Sequence, residues 1–340
     1  MSDLQAFEHE LARHHLAPLW RVMRALAPRA PAPSVAPAFW SAALLREQAL
    51  AAGRLISAAD AERRVLVLEN PALPGESRAT SSLYAGVQLL LPGETARAHR
   101  HTASALRLIL EGEGAHTSVE DERVRLHRGD FVITPSWKFH AHGNDGAEPV
   151  LWLDGLDVPL VNLLGVGFSE DAAPGQPALR RPEGDSLARY GAGVVPVDFE
   201  RRGAASPLFC YPYQRTREAL QRMRRSEEWD AAQGLKVAYT DPTTGRSPIP
   251  TMGAFMQLLP AGFVTCRQRV TDGAVFAVVE GHGRVEIAAE HWDIAPGDIF
   301  VVPGWTWHRL QARAELILFS FSDRPLQQQL YLWREQRAAD

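Results

Sequence analysis

The chain has 340 residues, of which 46% are hydrophobic and 22% charged, and its formal net charge is -4. That length supports two compact domains, and the slightly acidic balance leaves no footprint for nucleic acid. Cys210 and Cys266 make no disulfide framework, Asp3, Glu8 and Glu10 do not suit a secretory signal, and no apolar run is long enough to cross a bilayer. A cytoplasmic protein with no membrane partner is therefore expected.

In chain order, Leu4, Phe7, Leu11, Leu16, Leu19, Trp20, Met23 and Leu26 keep a helical rhythm, which a proline-rich run over 28–37 ends. A second helix is predicted over 39–52, so residues 1–60 read as a peripheral helical segment. From Val65 onward short β-rich segments follow at 84–91, 105–110, 119–126, 130–134 and 150–153, divided by glycine turns. They predict a first barrel over 61–165. Residues 166–248 are less regular and read as a linker with a charged helix over 217–228. In that helix Arg222–Arg225 and the following Glu227 and Glu228 form a solvated face. The β pattern returns at 255–259, 263–269, 275–279, 284–288, 298–302 and 314–321, predicting a second barrel over 249–340 with a C-terminal tail.

The two β regions superimpose. Gly93 and Gly112 fall on Gly262 and Gly281 with an offset of 169, and Gly129 and Pro135 fall on Gly297 and Pro303 with an offset of 168. The stretches around Glu111–Gly114 and Glu280–Gly283 match as well. Such constancy marks an internal duplication. The expected fold is an all-β core of two β-barrel (jelly-roll) domains with peripheral N-terminal helices.

Only the first copy carries a metal constellation. His99 and His101 stand two apart, which on a strand puts both imidazoles on one face about 7 Å apart along the chain. His140 follows Pro135-Ser136-Trp137, where a second strand would face the first. Neutral imidazoles suit iron(II), zinc, nickel or copper. The corresponding positions of the second copy hold Gln268, Val270 and His308, a set too poor in donors for a transition metal. The second barrel is expected to be structural. Arg107 shares the parity of the histidines and suits a substrate carboxylate. Ala103 and Ala105 share that parity and leave space.

The segments from Gly93 through His99-Arg100-His101 to Gly112, and from Gly129 through Pro135 and His140 to Asn144, resemble the two motifs of the cupin superfamily. The first motif usually has a glutamate ligand, whose expected place Ala105 occupies, and Trp137 replaces the usual glycine of the second. Three neutral ligands leave the ion's charge uncompensated and about three positions open, which suits a bidentate anionic substrate and O₂. Within two-barrel cupins, the stretches 83–94, 99–107, 129–144, 148–162, 211–220, 250–260 and 319–336 are similar to the gentisate 1,2-dioxygenase family. This resemblance implies a bicupin with Fe(II) on His99, His101 and His140. It implies that gentisate is opened by O₂ between C1 and C2 to maleylpyruvate, and that the chain is a homo-oligomer, as a tetramer.

The same resemblance places Arg107, His142 and Asp154 at the substrate, with Tyr84, Gly86 and Arg63 at the same pocket, although the motif does not separate Arg63 from Arg64. His142 is expected to be an acid/base partner of the ring hydroxyl or an orienting group. Asp154 receives a proton from the 5-hydroxyl, fixes His142, or caps a turn. Trp137 and Phe139 furnish an aromatic wall or pack the barrel. Salicylate or 1-hydroxy-2-naphthoate cleavage by the same site is the near alternative. A non-catalytic bicupin that binds or stores a ligand is the alternative from another class.

Overall fold

The computed structural model describes residues 2–58, 60–173, 178–226 and 228–338. It comprises two units, Met1–Pro33 and Ser34–Asp340. The first unit holds α1 (Asp3–Arg13) and α2 (Leu19–Leu26). A capping box starts α1, with the Ser2 hydroxyl accepting from the Gln5 amide and the Gln5 side chain accepting from the Ser2 amide. His15 at φ 56° and Pro18 ahead of α2 break the single rhythm of residues 4–26 into two helices. Glu8 accepts from Trp20 Nε1 and Arg21 Nε, joining them.

In the second unit β1 (Ala38–Trp40) precedes α3 (Ala42–Leu55), which Ser41 caps and which buries Leu45 and Ala49. The first barrel follows with β2 (Val65–Val67), β3 (Tyr84–Leu90), β4 (Thr95–His101), β5 (Ala105–Glu111), β6 (Ala115–Val119), β7 (Glu122–Arg125), β8 (Phe131–Thr134), β9 (His140–Asn144) and β10 (Val150–Leu156). Next come α4 (Val158–Leu163), β11 (Ser169–Asp171), α5 (Asp185–Tyr190), β12 (Cys210–Tyr211) and α6 (Tyr213–Met223). The second barrel comprises β13 (Leu235–Ala238), β14 (Gly253–Leu259), β15 (Gln268–Val270), β16 (Ala274–Glu280), β17 (Gly283–Ile287), β18 (Glu290–Ile294), β19 (Ile299–Val302), β20 (His308–Ala312), β21 (Leu316–Ser322), α7 (Arg324–Gln329) and β22 (Glu335–Arg337).

Strand order repeats between the barrels. The first has sheets β12-β8-β5-β10-β3-β2 and β11-β4-β9-β6-β7; the second has β1-β19-β16-β21-β14-β13 and β22-β15-β20-β17-β18. The duplication seen in glycine spacing is thus present strand for strand, with β1 standing where β12 stands.

Several sequence boundaries shift. The segment predicted as helical over 1–60 contributes β1 to the second barrel, and the stretch predicted as a linker contributes β11 and β12 to the first and β13 to the second. These strands are two to four residues long, too short to show a period. The strand predicted over 119–126 is a hairpin, turned at Glu120 (φ 54°) between β6 and β7. The charged helix starts earlier, at Tyr213, and tightens into a 3₁₀ turn over Arg224–Ser226; Glu227 lies outside the described residues.

The two six-stranded sheets face each other across one core. Leu106, Leu108 and Phe131 of the first join Met256, Phe319 and Phe321 of the second, and the Phe131 and Phe319 rings lie 5.6 Å apart. Gly155 allows this approach, because a Cβ there would lie 2.6 Å from the Phe321 ring. Alternate residues point the other way. Leu90, Ile109, Val132 and Trp152 fill the first barrel, which places Gly86, Arg107 and Asp154 on its interior face.

Candidate active site

The site sits where the interior faces of the first barrel's two sheets meet. In β4 and β9 the pairing begins as Thr95 with Gly143 and Ala96 with His142, then shifts through a bulge so that His99 stands opposite His140. His101, two residues on, presents its ring to the same point. The ring centroids are 5.2 Å (His99–His101), 4.3 Å (His99–His140) and 4.8 Å (His101–His140) apart. One nitrogen from each lies within 4.8 Å of the others, and no other group of three or more such side chains occurs among the described residues.

Carbonyls set two of the ring orientations. His101 Nδ1 donates to the Ala103 carbonyl (2.6 Å) and His140 Nδ1 to the Lys138 carbonyl (2.9 Å), directing each Nε2 at the cluster. His140 Nε2 is buried without a partner. Burial, reinforced by Arg63 and His101, lowers the His99 pKa to about 3, and burial also drives His140 well down. Three converging neutral imidazoles with an orphaned donor atom fit a divalent metal.

Beside the cluster, one row crosses the six-stranded sheet. Asp154 of β10 pairs with Gly86 of β3 on one side and with Arg107 of β5 on the other. Arg107 Nε lies 2.9 Å from Asp154 Oδ1 as an ion pair, out of line for a hydrogen bond, and its Nη1 donates to Thr134 Oγ1 (3.1 Å). Trp152 Nε1 donates to the other Asp154 oxygen (3.1 Å). Burial outweighs the neighbouring Arg107 and pushes the Asp154 carboxyl up to about 6. Tyr84 lies on the same face of β3 as Gly86, and burial, with Asp154 second, raises its phenol pKa, so it is a neutral hydroxyl at pH 7. Gly86 is required there, because a Cβ would lie 2.6 Å from Val65 Cγ1 and 2.8 Å from the Tyr84 hydroxyl.

His142 is buried next to His140, with ring centroids 5.7 Å apart, and its Nδ1 shares a hydrogen bond with Thr117 Oγ1 (2.9 Å). Its Nε2 has no partner. The two adjacent arginines part company. Arg63 touches His99 Nδ1 and donates to the Arg97 carbonyl (2.8 Å), whereas Arg64 is buried against the Glu94 carboxylate. Trp137 does not join the group. Its ring packs on Phe168 (4.5 Å) and under Arg100 (4.4 Å), and Arg100 has the opposite strand parity to His99 and His101. The second barrel repeats this arrangement with Arg269 over Trp305 (4.5 Å) and Trp307 (4.8 Å). Trp137 and Trp305 both have positive φ, 61° and 56°, at the position where glycine is usual.

Sequence reasoning overlooked Thr117, Thr134 and Trp152. Trp152 was within reach, since it shares strand parity with Asp154. The two threonines touch His142 and Arg107 only through cross-strand register.

Fold and site together define a two-barrel cupin with a three-histidine metal centre. Residues 86–157 and 255–320 match the family described as Cupin domain. The gentisate 1,2 dioxygenase 1 of Aquipseudomonas alcaligenes is 48% identical over 335 residues, which are 98% of this chain and 96% of that protein. A 5-aminosalicylate 1,2-dioxygenase from a Comamonas species is 33% identical, over 99% of this chain and 91% of its own length. Among solved structures, the salicylate 1,2-dioxygenase of Pseudoaminobacter salicylatoxidans, described as an adduct with gentisate, superimposes with a TM-score of 0.93 at 33% identity, covering 100% of this chain and 95% of that one. The chain belongs to the gentisate 1,2-dioxygenase family of ring-cleaving bicupins.

Proposed function

We propose that this protein opens gentisate between C1 and C2 with O₂, giving maleylpyruvate, with iron(II) held by His99, His101 and His140. The observation that carries the reading is the adjacency of that neutral triad to the buried row Gly86–Asp154–Arg107, whose arginine lies close enough to help lower the pKa of all three histidines. The 48% identity with a gentisate 1,2 dioxygenase across nearly the whole chain supports the same substrate. Bound iron(II) supplies the redox chemistry between O₂ and the ring and acidifies a phenol bound to it.

The protein's own side chains position and move protons. Arg107, held by Asp154 and Thr134, offers its remaining guanidinium edge to the substrate carboxylate. Thr117 holds His142 Nδ1, so Nε2 is the atom that meets the proton of the 2-hydroxyl. Asp154, poised near pH 6, takes the proton of the 5-hydroxyl, and Tyr84 flanks the ring as a neutral donor. Arg63, which lies against the His99 ring, adds a second cation to the pocket for the anionic groups of the substrate. Salicylate cleavage is the second reading, favoured by the structural likeness to a salicylate 1,2-dioxygenase.

The described residues include no helix long and apolar enough to cross a membrane. We place the protein in the cytoplasm, consistent with its two cysteines, and infer a homotetramer, for which the exposed Phe7, Trp20 and Met23 of the N-terminal helices supply apolar surface.

The test is O₂ uptake and product mass for anaerobically purified, iron(II)-loaded protein given gentisate, salicylate and 1-hydroxy-2-naphthoate. Uptake with gentisate and a product equal to gentisate plus two oxygens is expected, and His101→Ala loses both iron and turnover. Equal turnover of salicylate moves the assignment to the second reading, and full turnover by His101→Ala refutes the metal site.

A further inference from the structure

The second barrel has refilled the place where the first keeps its site. Phe255 and Phe276 stand where Gly86 and Arg107 stand, and Ser320 pairs with both as Asp154 pairs with theirs. Between them remains a mostly enclosed cavity of about 30 Å³, lined among others by Lys236, Gln268, His308, Ser320, Ser322 and Arg324. That volume has room for about two waters, hence for one small ion.

Its charges do not balance. Lys236 Nζ lies 4.9 Å over the Phe255 ring and 5.6 Å over Phe276, and the Arg324 guanidinium lies 4.1 Å over Trp333. Neither cation has a carboxylate within ion-pair distance among the described residues. Asp272 is the one carboxylate in the lining, and it accepts from Trp333 Nε1 (2.7 Å). Within the lining two cations face one carboxylate, and Glu335 acts on Lys236 more weakly from outside it, which favours a monoanion. Burial lowers the Lys236 pKa to about 8, so the ammonium is still the major form at pH 7.

The hydrogen-bond inventory asks for something more specific than a bare anion. Gln268 is 8% exposed; its Nε2 donates to the Ala232 carbonyl (3.0 Å), and its Oε1 has no partner. His308 Nδ1 donates to the Thr306 carbonyl (3.1 Å), which leaves Nε2 of the neutral ring as a second acceptor. A chloride answers the cations and repels the orphaned amide oxygen. We propose that the second barrel binds a small monoanionic oxyacid that retains an O–H, of hydrogencarbonate size, with its oxyanion toward Lys236 and Arg324 and its hydroxyl donating to Gln268 Oε1.

Formate is the discriminating control, since it matches the charge and approximate size but has no O–H. Thermal unfolding of the iron-loaded protein is followed in closed cells at pH 7.5 with sodium hydrogencarbonate, formate or chloride at equal ionic strength. Hydrogencarbonate is expected to raise Tm saturably, by about 2–4 °C at ten times Kd, and formate by less. Gln268→Leu brings the hydrogencarbonate shift down to that of formate, and Lys236→Met removes both. Crystals grown in hydrogencarbonate should show a planar ion against Lys236. Equal Tm in the three salts, a shift that survives Lys236→Met, or density for waters alone overturns the proposal. If Lys236→Met does not fold, the wild-type contrast between hydrogencarbonate and formate decides.

Discussion

Replacing Gly86 by alanine probes the pocket with a single methyl group. The new Cβ would lie 2.6 Å from Val65 Cγ1, 2.8 Å from the Tyr84 hydroxyl and 3.2 Å from Tyr84 Cε1. Ordinary carbon contacts begin near 3.5 Å, so roughly 0.9 Å must be found on the Val65 side and somewhat less at Tyr84. Val65 lies in a three-residue edge strand and yields by backbone movement, at an overpacking cost of about 1–3 kcal/mol. The phenol yields by swinging, which displaces its hydroxyl beside the Asp154–Arg107 row. Unfolding should therefore move down by ~2–6 °C, and KM for the aromatic acid should rise on the order of tenfold with a smaller change in kcat. Adding Val65→Ala removes the clashing Cγ1, so the pair should regain Tm and keep the raised KM. Steady-state O₂ uptake and thermal unfolding on the three proteins measure both effects. A Gly86→Ala enzyme with KM within twofold of wild type and unchanged Tm would refute the assignment of this face to the pocket.

Three more outcomes are expected. Because burial raises the Asp154 pKa to about 6, its carboxylate is lost as pH falls through 6 instead of near 4; kcat/KM should drop along that limb, and Asp154→Asn should be slower and lack it. Thr117→Val frees His142 Nδ1 to choose its tautomer, so kcat should fall about tenfold with KM nearly unchanged, whereas Thr117→Ser should retain most of the rate; equal kcat in Val and wild type would remove Thr117 from the mechanism. Trp137→Gly exchanges relief of a positive φ for loss of the Arg100 and Phe168 contacts, and turnover should stay within twofold, since the ring faces away from the histidines. A tenfold loss of turnover in a folded Trp137→Gly protein would return that ring to the substrate wall.

What could be read from the sequence followed the range of the forces involved. Gly93, Gly112 and Gly129 adopt positive φ, as their partners Gly262, Gly281 and Gly297 do, so a local backbone demand wrote the duplication into both halves. The metal triad was legible because two of its members share one strand and parity alone aligns them. The row through Gly86, Asp154 and Arg107 lies on three strands, and each residue could be suspected singly but not placed beside the others. Which of two adjacent arginines faces His99 depends on where Glu94 stands, a matter of packing that no motif records. From the sequence Trp137 serves equally as a pocket wall or as barrel packing, and only the structure shows its left-handed backbone and its ring on Arg100 and Phe168.

The strand β1 ties the beginning of the second unit to its far end. It emerges early from the ribosome, yet it completes the edge of the second barrel beside β19, and the Ala42 amide bonds Asp298 at a sequence separation of 256. This pairing is a non-local closure of the kind that slows folding. The two barrels are in this sense stitched rather than strung. Severing the chain between them would yield a C-terminal half with the edge of its sheet uncovered at β19.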